Sequence, residues 1–211
     1  MTDFGALRTA IIKGKRNDVT AIVQAALEEK EDINRLLDEG MIPAMREIGD
    51  KFSRNEAYVP ELLIAARAMQ TGLALIEPLI AASGRKSIGK IAIGTVKGDL
   101  HDIGKNLVAS MLEGCGFEVI NLGVDVSGEK FVEAAKEHNA DIICMSALLT
   151  TTMNYMKEVV SAVEAAGIRD KVKIMVGGAP LNNDFAMAIG ADGYSSNAND
   201  AVAMARRLLS A

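Results

Sequence analysis

The hydrophobic period changes near residue 84, and the change predicts an α/β chain with a helical first part and a strand–helix second part. Three observations carry the expectation. From Met1 to about Ala82 apolar residues recur at spacings of three and four. Beyond residue 88, short β-branched runs alternate with helical stretches, and the segment between, Ser83 to Gly89, is small and polar. The expected boundaries are a helical bundle over 1–83, a linker over 84–89 and an α/β domain over 90–211.

In the first part, Phe4, Leu7 and Ile11 mark one helix, and Val19, Ile22, Val23, Ala26 and Leu27 share a face of a second. Asn17 or Asp18 is its candidate cap. Ile33, Leu36 and Leu37 begin a third element that Gly40 is expected to break, after which Met41, Met45, Ile48 and Phe52 recur at helical spacing. The longest helix opens at Val59-Pro60, since proline suits a first turn, and shows a bundle seam of Leu62, Ala66, Met69, Leu73, Ile76 and Ile80. Met41, Met45 and Met69 read as core residues filling irregular gaps, and Glu28 to Asp32 as a solvated helix end. The expectation is a four-helix bundle.

In the second part the expected strands are Lys90 to Thr95, Glu118 to Leu122, Asp141 to Met145, Lys173 to Val176 and Gly193-Tyr194. Helices fit at Gly104 to Glu113, Glu129 to His138, Thr152 to Ala166, Asn183 to Ile189 and Asn199 to Leu209. Strands joined by helices through short loops imply a parallel sheet with helices on both faces. Five strands favour the flavodoxin-like (Rossmann-type) order 2-1-3-4-5, which puts a ligand outside the carboxyl ends of strands 1, 3 and 4.

Composition narrows the functions. A net charge of -5 without a basic cluster argues against nucleic acid or an anionic membrane as partner. Met1 to Arg16 carries too many charges for a signal peptide, and no apolar run approaches the roughly 20 residues of a membrane span. Cys115 and Cys144 have no metal-type spacing and read as reduced core thiols, so a cytoplasmic protein is expected.

Three loops at the ligand edge carry unusual residues. Gly98 to Asn106 follows the first strand and holds His101, one of two histidines, between Asp99 and Asp102. Met145 to Thr152 follows the third strand with a row of hydroxyls, and Val176-Gly177-Gly178-Ala179-Pro180 follows the fourth. Neither GxGxxG nor GxxxxGK[ST] is present, so these are not nucleotide loops of those types. His138 ends a helix, where a cation suits the dipole, and reads as structural.

Taken in order, Asp99-x-His101-x-x-Gly104, then forty-one residues, Ser146-x-Leu148, then twenty-eight residues and Gly177-Gly178, resembles the corrinoid-binding signature shared by methionine synthase and some cobalamin-dependent mutases. The first part also carries Glu39 to Met45, Ile48 to Phe52 and Tyr58-Val59-Pro60-Glu61. It looks like the helical domain of the small corrinoid proteins that serve methyltransferase systems for methanol, methylamines, betaines or aryl methyl ethers. Tyr58 stands where many of those proteins have Phe.

The resemblance implies a cobalamin or related corrinoid bound base-off/His-on, with His101 on cobalt from below. Asp99 would hold the second ring nitrogen, and Ser146 would bond Asp99 or line the pocket of the buried nucleotide tail. Gly98, Asp102, Ile103, Gly104, Leu148, Thr150, Gly177 and Gly178 complete the implied cofactor contacts. The helical domain would cap the reactive face. The chain, not catalytic alone, would carry a methyl group from a donor-specific methyltransferase to a second one with a tetrahydrofolate or thiol acceptor, with a reductive activase as further partner. Two alternatives share the signature, a small cobalamin-binding subunit of an adenosylcobalamin mutase and a cobalamin-binding sensor. The helical domain favours methyl transfer over the first, and the lack of a helix-turn-helix or an appended signalling domain weighs against the second.

Overall fold

The computed structural model describes residues 2–83 and 87–210, so residues 84–86 of the expected linker lie outside the described residues. The chain divides into two compact units, Met1–Lys86 with Gly114–Gly116, and Ser87–Glu113 with Phe117–Ala211.

In the first unit, α1 (Phe4–Ile12) is capped by the Asp3 carboxylate, which accepts the Ala6 N–H at 2.9 Å. α2 (Arg16–Glu28) starts ahead of the expected Asn17 or Asp18 cap, with Lys15 at the N-cap and no side-chain cap bond. The reason is the tight turn before it. Gly14 adopts φ 68 and Gly14 and Lys15 return their N–H groups to α1, so the next helix begins at once.

The expected break at Gly40 is absent. α3 (Ile33–Arg35) runs through a π-helical segment, Leu36–Met41, directly into α4 (Ile42–Ser53). Pro43 has no N–H to return to the preceding turn, and a widened π turn accommodates that loss without ending the helix. Gly40 serves close approach instead, because a Cβ there would lie 2.8 Å from Leu7 Cδ2.

α5 (Val59–Ser83) opens with the Glu61 carboxylate accepting the Tyr58 N–H at 2.6 Å, half of a capping box. Its buried face, Leu62, Ala66, Met69 and Ile76, packs on α1, α2 and α4. Contrary to the expectation from sequence, Val59–Ile80 is long and apolar enough to pass for a membrane span by length and composition, at a mean hydropathy of 1.3. About a third of that stretch, 33%, is buried, on the face that packs on α1, α2 and α4. Met41, Met45 and Met69 are buried, as core residues should be.

The second unit holds five parallel strands, β1 (Lys90–Thr95), β2 (Glu118–Asn121), β3 (Ile142–Ser146), β4 (Lys173–Gly177) and β5 (Gly193–Ser195), in the expected order β2-β1-β3-β4-β5. β1 and β3 are buried almost throughout, as both faces of a helix-covered parallel sheet require. On one face Ala92, Ile143, Ile174 and Val176 join Phe131 of α7 (Gly128–His138) and Val159 and Val163 of α9 (Tyr155–Ala165) in one core.

α6 (Ile103–Gly114), α8 (Thr150–Met153), α10 (Asn183–Ala188) and α11 (Ala198–Ser210) complete the unit. The expected single helix from Thr152 is thus divided at Asn154 into α8 and α9. Its first turn is drawn toward a buried carboxylate, described below. β5 is one residue longer than expected, because Ser195 pairs with Gly177.

Candidate functional site

Strand register lines up the site. Thr95 pairs with Ser146, Ser146 with Gly177, and Gly177 with Ser195, so four strands end in one row. The strand order reverses at β1 and β3, where loops leave in opposite directions and open a crevice for a ligand. Gly98, Asp99, His101 and Asp102 lie on the loop leaving β1, and Ile103 and Gly104 begin α6. Ser146 ends β3, Leu148 follows it, Thr150 opens α8, and Gly177-Gly178 end and follow β4. All the residues singled out in the sequence therefore lie at one edge.

Asp99 is the hub of this edge. It is fully buried, and its Oδ1 accepts the backbone N–H of His101 at 3.0 Å and the ring Nδ1–H at 2.7 Å. Its Oδ2 accepts Leu148 N–H at 2.8 Å, Leu149 N–H at 3.3 Å and the Thr152 hydroxyl at 2.8 Å. Burial alone pushes a carboxyl pKa up. Here the donated hydrogen bonds from His101, Leu148 and Thr152 outweigh it and hold the group well below the usual carboxylate range. The ionised carboxylate only accepts, so Nδ1 carries a proton and Nε2 is the ring nitrogen left to point elsewhere. The His101 side chain is 51% exposed, which leaves that nitrogen available to a ligand.

The β1–α6 loop is pinned along its length. Buried Thr95 donates its hydroxyl to the His101 carbonyl at 2.9 Å. Gly98, at φ 84, gives its N–H to Asp125 at 2.7 Å, and Asp125 gives its own to the Asp99 carbonyl. A side chain at Gly98 would be strained in that left-handed conformation. Gly178 permits a closer approach, since a Cβ there would lie 1.9 Å from the Ala147 carbonyl oxygen, packing the β4 loop onto the β3 loop.

Two residues important to this arrangement were not among the expected ligands. Thr152 takes the place suggested for Ser146 beside Asp99, because the first turn of α8 carries its hydroxyl back to the carboxylate while Ser146 stays in the strand row. Its signal in the sequence was only a hydroxyl in a Ser/Thr row at a helix start. Thr95 gave less, a threonine at a strand end.

The surface around His101 is apolar. Leu100, Ile103, Leu148 and Leu149 are 71%, 76%, 45% and 41% exposed. At Gly104 a Cβ would meet nothing within 4 Å, so space is open beside the loop. Such a surface suits a large, flat, apolar-faced ligand. His101 offers a metal one nitrogen, and among the described residues no group of three or more His, Cys, Asp or Glu is placed to hold a bare ion. A metal on His101 must bring its remaining donors with it, as a macrocycle does. The donor set and the surrounding surface both fit a corrinoid.

Comparison with known proteins agrees. Residues 89–203 and residues 4–77 match two B12 binding domain families. The dimethylamine corrinoid protein of Methanosarcina barkeri is 46% identical over 205 residues, covering 96% of this chain and 95% of that protein. A cobalamin-binding protein from Desulfitobacterium hafniense DCB-2 superposes with a TM-score of 0.80 at 31% identity, covering 99% of each chain. A chain of the methanol:cobalamin methyltransferase complex MtaBC from Methanosarcina barkeri matches with a TM-score of 0.88 at 29% identity, over 98% of this chain and 79% of that one. The chain belongs to the B12-binding corrinoid proteins associated with methyltransferases.

Proposed function

We propose that this chain is a methyl carrier that binds its corrinoid base-off, with His101 Nε2 as the lower axial ligand of cobalt. The observation that carries the reading is the Asp99–His101 pair. An imidazole whose Nδ1–H is locked on a buried carboxylate presents Nε2 in one tautomer and one orientation, and the hydrogen bond makes it a stronger donor. When bound, the cobalt supplies the nucleophile and the site of methyl attachment.

The protein's own part is to orient and shield. Asp99, fixed by Leu148, Leu149 and Thr152, ties the β1 loop to the β3 loop, so the ligand nitrogen is preorganised. Leu100, Ile103, Leu148 and Leu149 would offer apolar contact to a bound corrin and exclude water from it. Ser146, Gly177 and Gly178 line the strand-end row, where the displaced nucleotide tail would lie.

The partners in this reading are a donor-specific methyltransferase, a second methyltransferase with a tetrahydrofolate or thiol acceptor, and a reductive activase. The relatives named for dimethylamine and trimethylamine and the methanol complex set the donor classes to test. The experiment is to reconstitute the full chain with cobalamin, reduce it, and present methanol and the three methylamines with their candidate methyltransferases. Cobalt alkylation is read from the absorbance spectrum. Methylation by one donor class supports the carrier reading, and a bound cobalamin that is reduced to Co(I) yet methylated by none of the donors contradicts it.

A further inference from the structure

Thr95, Asp99 and Thr152, three of the buried polar residues of the α/β unit, bond the His101 loop directly. Lys105 is a fourth buried polar residue, only 3% exposed, and it touches neither His101 nor Asp99. Its ammonium donates to Asn121 Oδ1 at 2.6 Å, its one acceptor among the described residues. Asn121 Nδ2 donates to Asn106 Oδ1 at 3.1 Å, and Asn106 Nδ2 donates to Asp102 Oδ2 at 2.8 Å. The chain therefore starts on a buried cation in α6, crosses to the end of β2, and returns to the residue that directly follows His101.

Burying an ammonium with one hydrogen-bond acceptor is unfavourable: burial pushes the Lys105 pKa down and the charge of Asp102 offsets only part of that, whereas a methionine of similar length would fill the same space without that cost. Asn121 Oδ1 also accepts the Gly123 N–H at 3.1 Å, so its carbonyl keeps a partner if the lysine is removed. Packing therefore gives no reason for a lysine here. What the lysine adds is directional. Together with the Gly123 N–H it holds the Asn121 amide, whose Nδ2 bonds Asn106, which holds the Asp102 side chain at the start of α6. The other fixed points of the loop, Thr95 on the His101 carbonyl and Asp99 on the ring, act on His101 from the β1 and β3 side. The lysine chain acts from the β2 side.

We infer that Lys105 is a positioning residue for His101, holding the α6 N-terminus through Asn121, Asn106 and Asp102 and so fixing the direction in which the imidazole points. This rests on the reading of His101 as the cobalt ligand. It predicts a separation of stability from ligation. Lys105→Met keeps or raises the melting temperature of the cofactor-free chain, while hydroxocobalamin affinity, titrated by absorbance, falls about 3- to 10-fold, less than the ~10- to 100-fold typical of losing a direct partner of a ligand. In the Co(II) form, electron paramagnetic resonance with nitrogen-15 histidine shows the histidine coupling weakened or lost.

Asn106→Ala, which cuts the same chain at a half-buried site, is the second variant and decides the question if Lys105→Met does not fold. It is expected to reproduce the loss of affinity and the altered coupling. Parent-like affinity, within about two-fold, and a parent-like spectrum in the folded variants overturn the inference about Lys105 alone. A parent spectrum without histidine coupling overturns the reading of His101 itself, and the role of Lys105 with it.

Discussion

Thr152 donates its hydroxyl to Asp99 Oδ2 at 2.8 Å, and this bond joins two loops 53 residues apart in the chain. Asp99 in turn holds the His101 ring at 2.7 Å, so a threonine on the β3 side governs a histidine on the β1 side. Thr152→Val keeps the shape and removes the donor. It is expected to cost about 1.5–3 kcal/mol in urea unfolding, the range for a hydrogen bond to a charged group, and to weaken cobalamin binding as well. Unchanged stability and binding would show that Leu148 and Leu149 suffice to hold the carboxylate.

Asp99→Asn is the harsher change. The carboxylate accepts five hydrogen bonds and donates none, so an amide at this site must turn its own N–H groups toward other donors. The cost should be about 2–4 kcal/mol, with cobalamin affinity down about 10- to 100-fold. Chemical unfolding of the free chain separates the two effects. A variant as stable as the parent would mean that the buried hub relaxes more than its geometry suggests.

Two glycines at the same edge should respond differently. At Gly178, φ is 142 and an added Cβ meets the Ala147 carbonyl oxygen at 1.9 Å, so Gly178→Ala should lose about 2–4 kcal/mol of stability. At Gly104 nothing lies within 4 Å, and helix propensity favours a side chain there, so Gly104→Leu should leave the fold intact. Its side chain would enter the open space beside His101 and lower cobalamin affinity. Thermal melts and absorbance titrations of both variants test the contrast, and equal effects would refute it.

Much of this architecture is legible in the chain itself. Alternating strands and helices specify the sheet order, and the spacing of His101, Ser146 and Gly177 along the chain places them at one edge because each follows a strand. Local sequence does not show what a buried carboxylate does to its neighbours. Thr152 looks like a helix cap until Asp99 is found beneath it, and the same pull divides the expected helix at Asn154. Gly40 reads as a stop, but Leu7, which is distant in sequence, requires a residue without a side chain there. Nothing in the local sequence marks Lys105 as buried.

Burial in the sheet pushes the Cys144 thiol up from 9.0 to about 12. The folded chain thus keeps its proton where the unfolded chain has lost it. The associated stability is fully present below the ordinary value of 9.0 and is lost as pH rises toward about 12. Between those limits the parent should lose about 1.4 kcal/mol per pH unit more than Cys144→Ala, measured by urea unfolding. Parallel curves for the two proteins would mean that the thiol ionises in the folded state.

The central claim is that His101 is the axial nitrogen on cobalt. The most direct test is electron paramagnetic resonance of the Co(II) form, comparing protein labelled with nitrogen-15 histidine against unlabelled protein, each loaded with cobalamin of natural isotopic content. Coordination by the protein predicts that the nitrogen splitting changes from a triplet to a doublet on labelling, and that His101→Ala removes the histidine coupling. A triplet that survives labelling would place the cofactor's own base on the metal and contradict the account.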